Sequence, residues 1–100
     1  MEHLDGLCRA AVSRSINLAV PWFLCTSILY YRQNVSVISD DTFDTLCKDL
    51  LAHWPTVSHP HKHFITEDDL RAGSGFALPY NQLPQRIYYA AEALKKKAGL

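Results

Sequence analysis

The sequence predicts a mainly α fold, a small single-domain helical bundle of about four helices with a His-rich loop, spanning residues 1–100. Three observations predict it. The chain is long enough for one core and too short for two: roughly 16,000 Å² of unfolded surface should fall to about 5,700 Å² on folding. Apolar residues recur at three- and four-residue steps in three separate segments. Helix start and stop signals, in the form of capping side chains, prolines and glycines, bracket those segments. With 48% hydrophobic and 20% charged residues, the chain has the composition of an ordinary globular domain.

Leu4, Leu7, Cys8, Ala11, Val12 and Ile16 share one face of a first helix, which is expected to run to about Leu18. Pro21 then either kinks the segment or occupies the first turn of a second helix, Trp22 to about Gln33, where its missing N–H costs nothing. Asn34 to Ile38 has no helical pattern and is read as a connecting loop. Ser39 offers an N-cap oxygen, and Asp40 and Asp41 place negative charge at the positive end of the helix dipole. The helix launched there carries Phe43, Leu46, Cys47, Leu50, Leu51 and Trp54 on one face, and Pro55 ends it. Thr56 to Ile65 is polar, His-rich and read as loop or extended chain. Thr66 and Asp69 have capping-box spacing ahead of Leu70, which predicts a short helical turn stopped by the stretch from Ala72 to Gly75. Leu83, Ile87, Ala90, Ala91 and Leu94 mark a final helix, with Lys95, Lys96 and Lys97 at its negative end.

Charge and cysteine usage narrow the function classes. Ten Lys and Arg balance ten Asp and Glu, so no cationic surplus is present to replace phosphate counterions, which argues against autonomous nucleic-acid binding. Three cysteines without a Cys-x-x-Cys spacing point to a reducing compartment. The acidic start, Glu2 and Asp5, lacks the pattern of a secretory signal, so the chain is expected to begin at Met1. Ser15 to Tyr31 is uncharged, but as a helix it would span only about 26 Å against a hydrocarbon core of roughly 30 Å. A buried helix, with no membrane involvement, is expected.

Two clusters have the residue types of chemistry. His59, His61 and His63 would project from one face of an extended strand, as a zinc ion requires, with a fourth ligand from His53 or Cys47. The competing expectation is a surface loop with no metal. Cys25 and Cys47 lie in apolar segments, where a thiol is inert packing rather than a nucleophile. Asp40 and Asp44 share a helix face at i,i+4, the spacing of a carboxylate pair, while Asp44 and Lys48 also fit a surface ion pair.

Tyr30-Tyr31, six further residues, and then Ile38-Ser39-Asp40-Asp41-Thr42-Phe43-Asp44-Thr45-Leu46 form a pattern. It resembles the N-terminal helical domain of NAD-dependent DNA ligases, in which Tyr-Tyr or Tyr-His precedes Ile-Ser-Asp-x-x-Tyr-Asp-x-Leu. His59-Pro60 and Ile65-Thr66 with Gly73 are similar to the family's downstream His-Pro and Ile-Thr-Pro-Asp stretch. The resemblance covers residues 29–73. It implies a ligand site of Tyr30, Tyr31, Asp40, Phe43 and Asp44, in which aromatics stack on the nicotinamide ring of nicotinamide mononucleotide (NMN) or NAD and acids contact its polar groups. Phe43 stands where the family prefers Tyr. The Lys-x-Asp-Gly adenylation motif is missing from the sequence, so the resemblance implies a non-enzymatic, stand-alone copy of the nucleotide-capture domain, of a kind associated with bacteriophages and prophages, cytoplasmic in a bacterial host. Two principal functions follow as expectations: a small interaction protein that reuses the fold to bind a host or phage protein, with no cofactor required, or an NMN/NAD-binding module beside a separate ligase subunit. A zinc-binding module using the His cluster is a further alternative.

Overall fold

A computed structural model describes residues 3–100. The expectations placed on Met1 and Glu2 fall outside it. Five α-helices follow in order: α1 (Asp5–Arg14), α2 (Ala19–Ser27), α3 (Asp40–Ala52), α4 (Glu67–Ala72) and α5 (Gln85–Lys97). No strand occurs among the described residues, and the fold is mainly α. The folded chain exposes 5703 Å² of surface.

α2 is the central helix. Ala19, Val20, Phe23, Leu24 and Cys25 are all buried, on more than one face, because α1, α3 and α5 pack around it. A helix apolar nearly all round belongs in a core. No helix among the described residues is long and apolar enough to cross a membrane. α4 packs on α3, and the outer helices add Cys8, Leu46, Leu50, Leu70, Ile87 and Ala91 to the same apolar cluster.

The local signals act where they stand. Ser39 caps α3 by accepting the Thr42 N–H at 3.2 Å. Thr66 and Asp69 close both halves of a capping box on α4, at 3.1 and 2.9 Å. Gly73, at φ 64°, ends α4 in the left-handed conformation that glycine adopts without Cβ strain. Pro21 occupies the first turn of α2, so no hydrogen bond is lost.

Several boundaries differ from expectation. α1 stops at Arg14, not near Leu18, because Ser15 is extended and its hydroxyl accepts the Asn17 N–H, starting a separate 3₁₀ turn at Ile16–Leu18. α2 begins at Ala19 rather than Trp22. Trp54 lies beyond the end of α3, in a 3₁₀ turn with Pro55, and is only partly buried. On α5, Ala90 is exposed and Tyr88 packs against the core instead, its hydroxyl donating to the Tyr80 carbonyl at 2.6 Å. Leu7 is also exposed on α1. The His-rich segment holds a 3₁₀ turn, Lys62–Phe64, where an extended strand was one expectation.

Candidate functional site

The site starts where α2 runs out. Residues Ile28–Arg32 continue the helix as one π-helical segment. A π turn carries more residues than an α turn, so neighbouring side chains stand closer together around the axis, and such segments are frequent at functional sites. Here the segment carries Tyr30 and Tyr31, whose rings meet edge to face at 4.9 Å. The chain then reverses through Asn34, the one described non-glycine residue with positive φ (56°), and Val35 N–H returns to the Leu29 carbonyl at 2.8 Å. Asn tolerates this conformation better than most residues because its short side chain bonds locally. Ser36–Ile38 then pass beside the tyrosines, and Ser39 launches α3.

Asp40, Phe43 and Asp44 follow at i, i+3 and i+4, on one face of α3. That face looks onto the tyrosines. Tyr30, Tyr31, Asp40, Phe43 and Asp44 thus line one cavity of about 360 Å³, with Gly73 from the end of α4 completing the wall. Thr26 and Ser36–Ile38 supply the remainder. Among the described residues no Lys or Arg lines it, and its charged lining groups are the Asp40 and Asp44 carboxylates.

Each lining group is held differently. Phe43 stacks on the fully buried Phe23, ring centroids 5.4 Å apart and planes 22° from parallel, so one of its faces is committed to the core. The Tyr31 hydroxyl and the Ser74 hydroxyl are hydrogen-bonded at 2.9 Å, which ties the π segment to the chain beyond α4. Tyr30 is 52% exposed and contributes an open ring. Asp44 pairs with Lys48 at 2.9 Å on the solvent side. Ser39 occupies the α3 cap, and the Asp40 carboxylate makes no hydrogen bond to that helix end among the described residues. Three aromatic rings and two acids around a pocket suit a flat, cationic aromatic ligand.

The histidines assemble differently. His59 Nδ1 accepts the His61 backbone N–H at 3.1 Å, whereas His63 lies against Phe64 at 4.0 Å between ring centroids. Among the described residues no group of three or more His, Cys, Asp or Glu side chains is placed to hold a metal ion, and His59, His61 and His63 do not converge as the zinc alternative requires. The 3₁₀ turn breaks the alternation that would have aligned the rings. Partial burial, then the neighbouring positive groups, hold His59 and His61 below the ordinary histidine pKa. Lys62 in the same segment has a structural role that the sequence does not reveal. Its ammonium donates to the Trp54 and Val57 carbonyls at 2.7 and 2.9 Å and lies over the Trp54 ring.

The cysteines are buried in packing. Burial pushes the Cys25 and Cys47 thiols up to about 12 and Cys8 up to about 11, out of the range of a nucleophile at neutral pH. A second hollow, of about 440 Å³, lies between α1 and α3 and carries Arg9, Arg14, Asp49 and His53. Arg9 is engaged there, donating to the Thr42 hydroxyl at 2.9 Å.

Sequence reasoning missed Thr26, the Ser36–Ile38 wall and Ser74. Thr26 reads as an apolar-helix residue and spends its hydroxyl on the Trp22 carbonyl at 2.6 Å. The run Gly73-Ser74-Gly75-Phe76, an aromatic beside two glycines, was the available signal for the α4 end of the site. Compared with known protein families, curated proteins and solved structures, the chain matches none.

Proposed function

We propose that the chain is a non-catalytic binding module whose cavity captures the nicotinamide half of NMN or NAD. The observation that carries this reading is the convergence of Tyr30, Tyr31, Asp40, Phe43 and Asp44 on one 360 Å³ cavity. That volume is at the small end of the roughly 300–1,000 Å³ range of ligand pockets, which suits one ring and its sugar. The lining fits the ligand's charge: the nicotinamide ring is cationic, the pocket holds acids and aromatic faces, and the phosphate stays in water outside. The reading includes a small helical relative of the ligase nucleotide-capture domain, of phage or prophage origin, working in a bacterial cytoplasm beside a separate ligase.

Calorimetric titration with NMN and NAD tests it. Binding is expected, and Tyr30→Ala is expected to weaken it about 5- to 30-fold, in line with a desolvated aromatic–cation contact of roughly 1–2 kcal/mol. Absence of heat at millimolar ligand overturns the reading.

A second reading, contact with a host or phage protein, is favoured by a different observation. Tyr89 on the outward face of α5 is 68% exposed, beside Gln85 and Glu92. It requires that capture of a partner from phage-infected cells depend on Tyr89 and be lost in Tyr89→Ser. Capture that is indifferent to Tyr89 removes it.

A further inference from the structure

We propose that Phe76 is a second stacking platform of the same site, taking the second planar base of a dinucleotide whose first ring occupies the cavity. The inference rests on the ligand-capture reading above and extends it, assigning a specificity role to a residue outside the cavity lining. Phe76 is 77% exposed, an expensive place for a phenyl ring unless something covers it. It is also held in place. Its N–H donates to the Ser74 hydroxyl at 3.1 Å, and that same hydroxyl is bonded to Tyr31. One residue earlier, the Gly75 carbonyl accepts the buried Tyr80 hydroxyl at 2.6 Å. Gly75 itself is pressed so closely on α2 that a Cβ there would fall 2.6 Å from Ser27 Cβ. The loop therefore presents the ring on a fixed backbone.

The Phe76 ring meets Tyr31 edge to face at 6.1 Å, and Tyr31 also meets Tyr30 edge to face at 4.9 Å. Tyr31 thus touches both other rings, with Tyr30 and Tyr31 in the cavity wall and Phe76 outside the lining. The cavity suits one ring and a sugar, and among the described residues no Lys or Arg lines it. A dinucleotide that places its cationic ring inside must therefore leave its pyrophosphate and second base outside, where an exposed phenyl offers a stacking face to any base.

Calorimetry of the full chain with NAD, NMN and AMP, on the native protein, Phe76→Ala and Phe76→Trp, tests this. Stacking of one base on one aromatic predicts NAD binding about 5- to 150-fold tighter than NMN. Phe76→Ala is expected to bring NAD to the affinity of NMN while leaving NMN and the thermal melt unchanged, and Phe76→Trp to keep the preference. Equal affinities for NAD and NMN in the native protein overturn the proposal, as does a Phe76→Ala variant that weakens both ligands alike, since the ring would then only buttress Tyr31. Failure of both NMN and NAD to bind overturns the reading of the cavity itself, a distinct outcome.

Discussion

The Asp5 carboxylate accepts the backbone N–H of Ser39 at 2.7 Å, closing the N-terminus of α3 from a residue 34 positions earlier. In a capping box the third helical residue would accept that N–H, but here the position is Thr42, so α1 supplies the acceptor. The Ser39 hydroxyl meanwhile accepts the Thr42 N–H, completing a box whose two halves come from different helices. This junction forms the base on which Asp40, Phe43 and Asp44 stand.

The Asp5 pKa is a balance. Partial burial raises it, but hydrogen bonds from the Ser39 backbone and the Ser39 and Thr42 side chains, with the charge of His3, together outweigh burial and leave it below the ordinary carboxylate value. A carboxyl whose folded pKa is depressed gives stability that is present above the unfolded pKa, about 3.9, and is lost as pH falls through the folded value. Asp5→Ala is therefore expected to cost about 1 kcal/mol at pH 7, less than the roughly 1.5–3 kcal/mol of a charged hydrogen bond because water reaches the site. The cost should shrink between pH 4 and pH 2. Urea unfolding of both proteins across that range checks it; a pH-independent difference would show that the carboxylate's charge is not involved.

Ser39 and Asp40 separate cap from cavity. Ser39→Ala removes the oxygen that holds the Thr42 N–H and should cost about 1 kcal/mol, within the range of roughly 0.5–2 kcal/mol for N-caps. Asp40→Ala loses only a favourable charge at the positive helix end, about 0.3–1 kcal/mol. Thermal melts should rank Ser39→Ala as the more damaging, and NMN titration should rank them in reverse. The opposite order in the melts would make Asp40 the cap.

Three glycine-to-alanine substitutions should differ in sign. At Gly75 the new methyl collides with Ser27 on α2, and the expected loss is about 1–3 kcal/mol, as for overpacking of a core. At Gly73 the neighbourhood is open, the nearest atom being Asp44 Oδ1 at 3.7 Å, but φ is 64°, so strain of about 1–2 kcal/mol is expected. At Gly6, in the first turn of α1, nothing lies within 4 Å among the described residues, and alanine should stabilise by up to about 0.5–1 kcal/mol. Chemical denaturation of the three variants reads all of this directly.

The three thiols should be silent in the folded protein. Cys8, Cys25 and Cys47 are buried, with their pKa values pushed up to about 11–12, so a thiol-specific reagent at pH 8 should modify them only as fast as the chain opens. Mass spectrometry after a short pulse should find the unmodified protein in buffer and triply modified protein in denaturant. Rapid native modification of any one thiol would place it in a more open environment than the packing of α1, α2 and α3 allows.

The sequence by itself determined the elements whose causes lie within a few residues. Ser39 before α3, the Thr66–Asp69 box of α4, Gly73 as its stop and the lysines closing α5 are bonds or charges acting over three or four positions, so their spacing is visible in the chain. The grouping of Asp40, Phe43 and Asp44 on one face of α3 is legible for the same reason. Tertiary structure alone decided what faces that group. Nothing local announces that Ile28–Arg32 takes a π turn, that Asn34 reverses the chain with positive φ, or that Asp5 serves as the second half of the α3 cap. The same holds for Phe76, set beside Tyr31 by a serine hydroxyl shared across 43 positions, and for Lys62, drawn from a His-rich segment onto carbonyls at the end of α3. Such contacts are chosen by how whole helices pack around α2, where burial of apolar surface outweighs local preference, and only the packed chain brings their partners together.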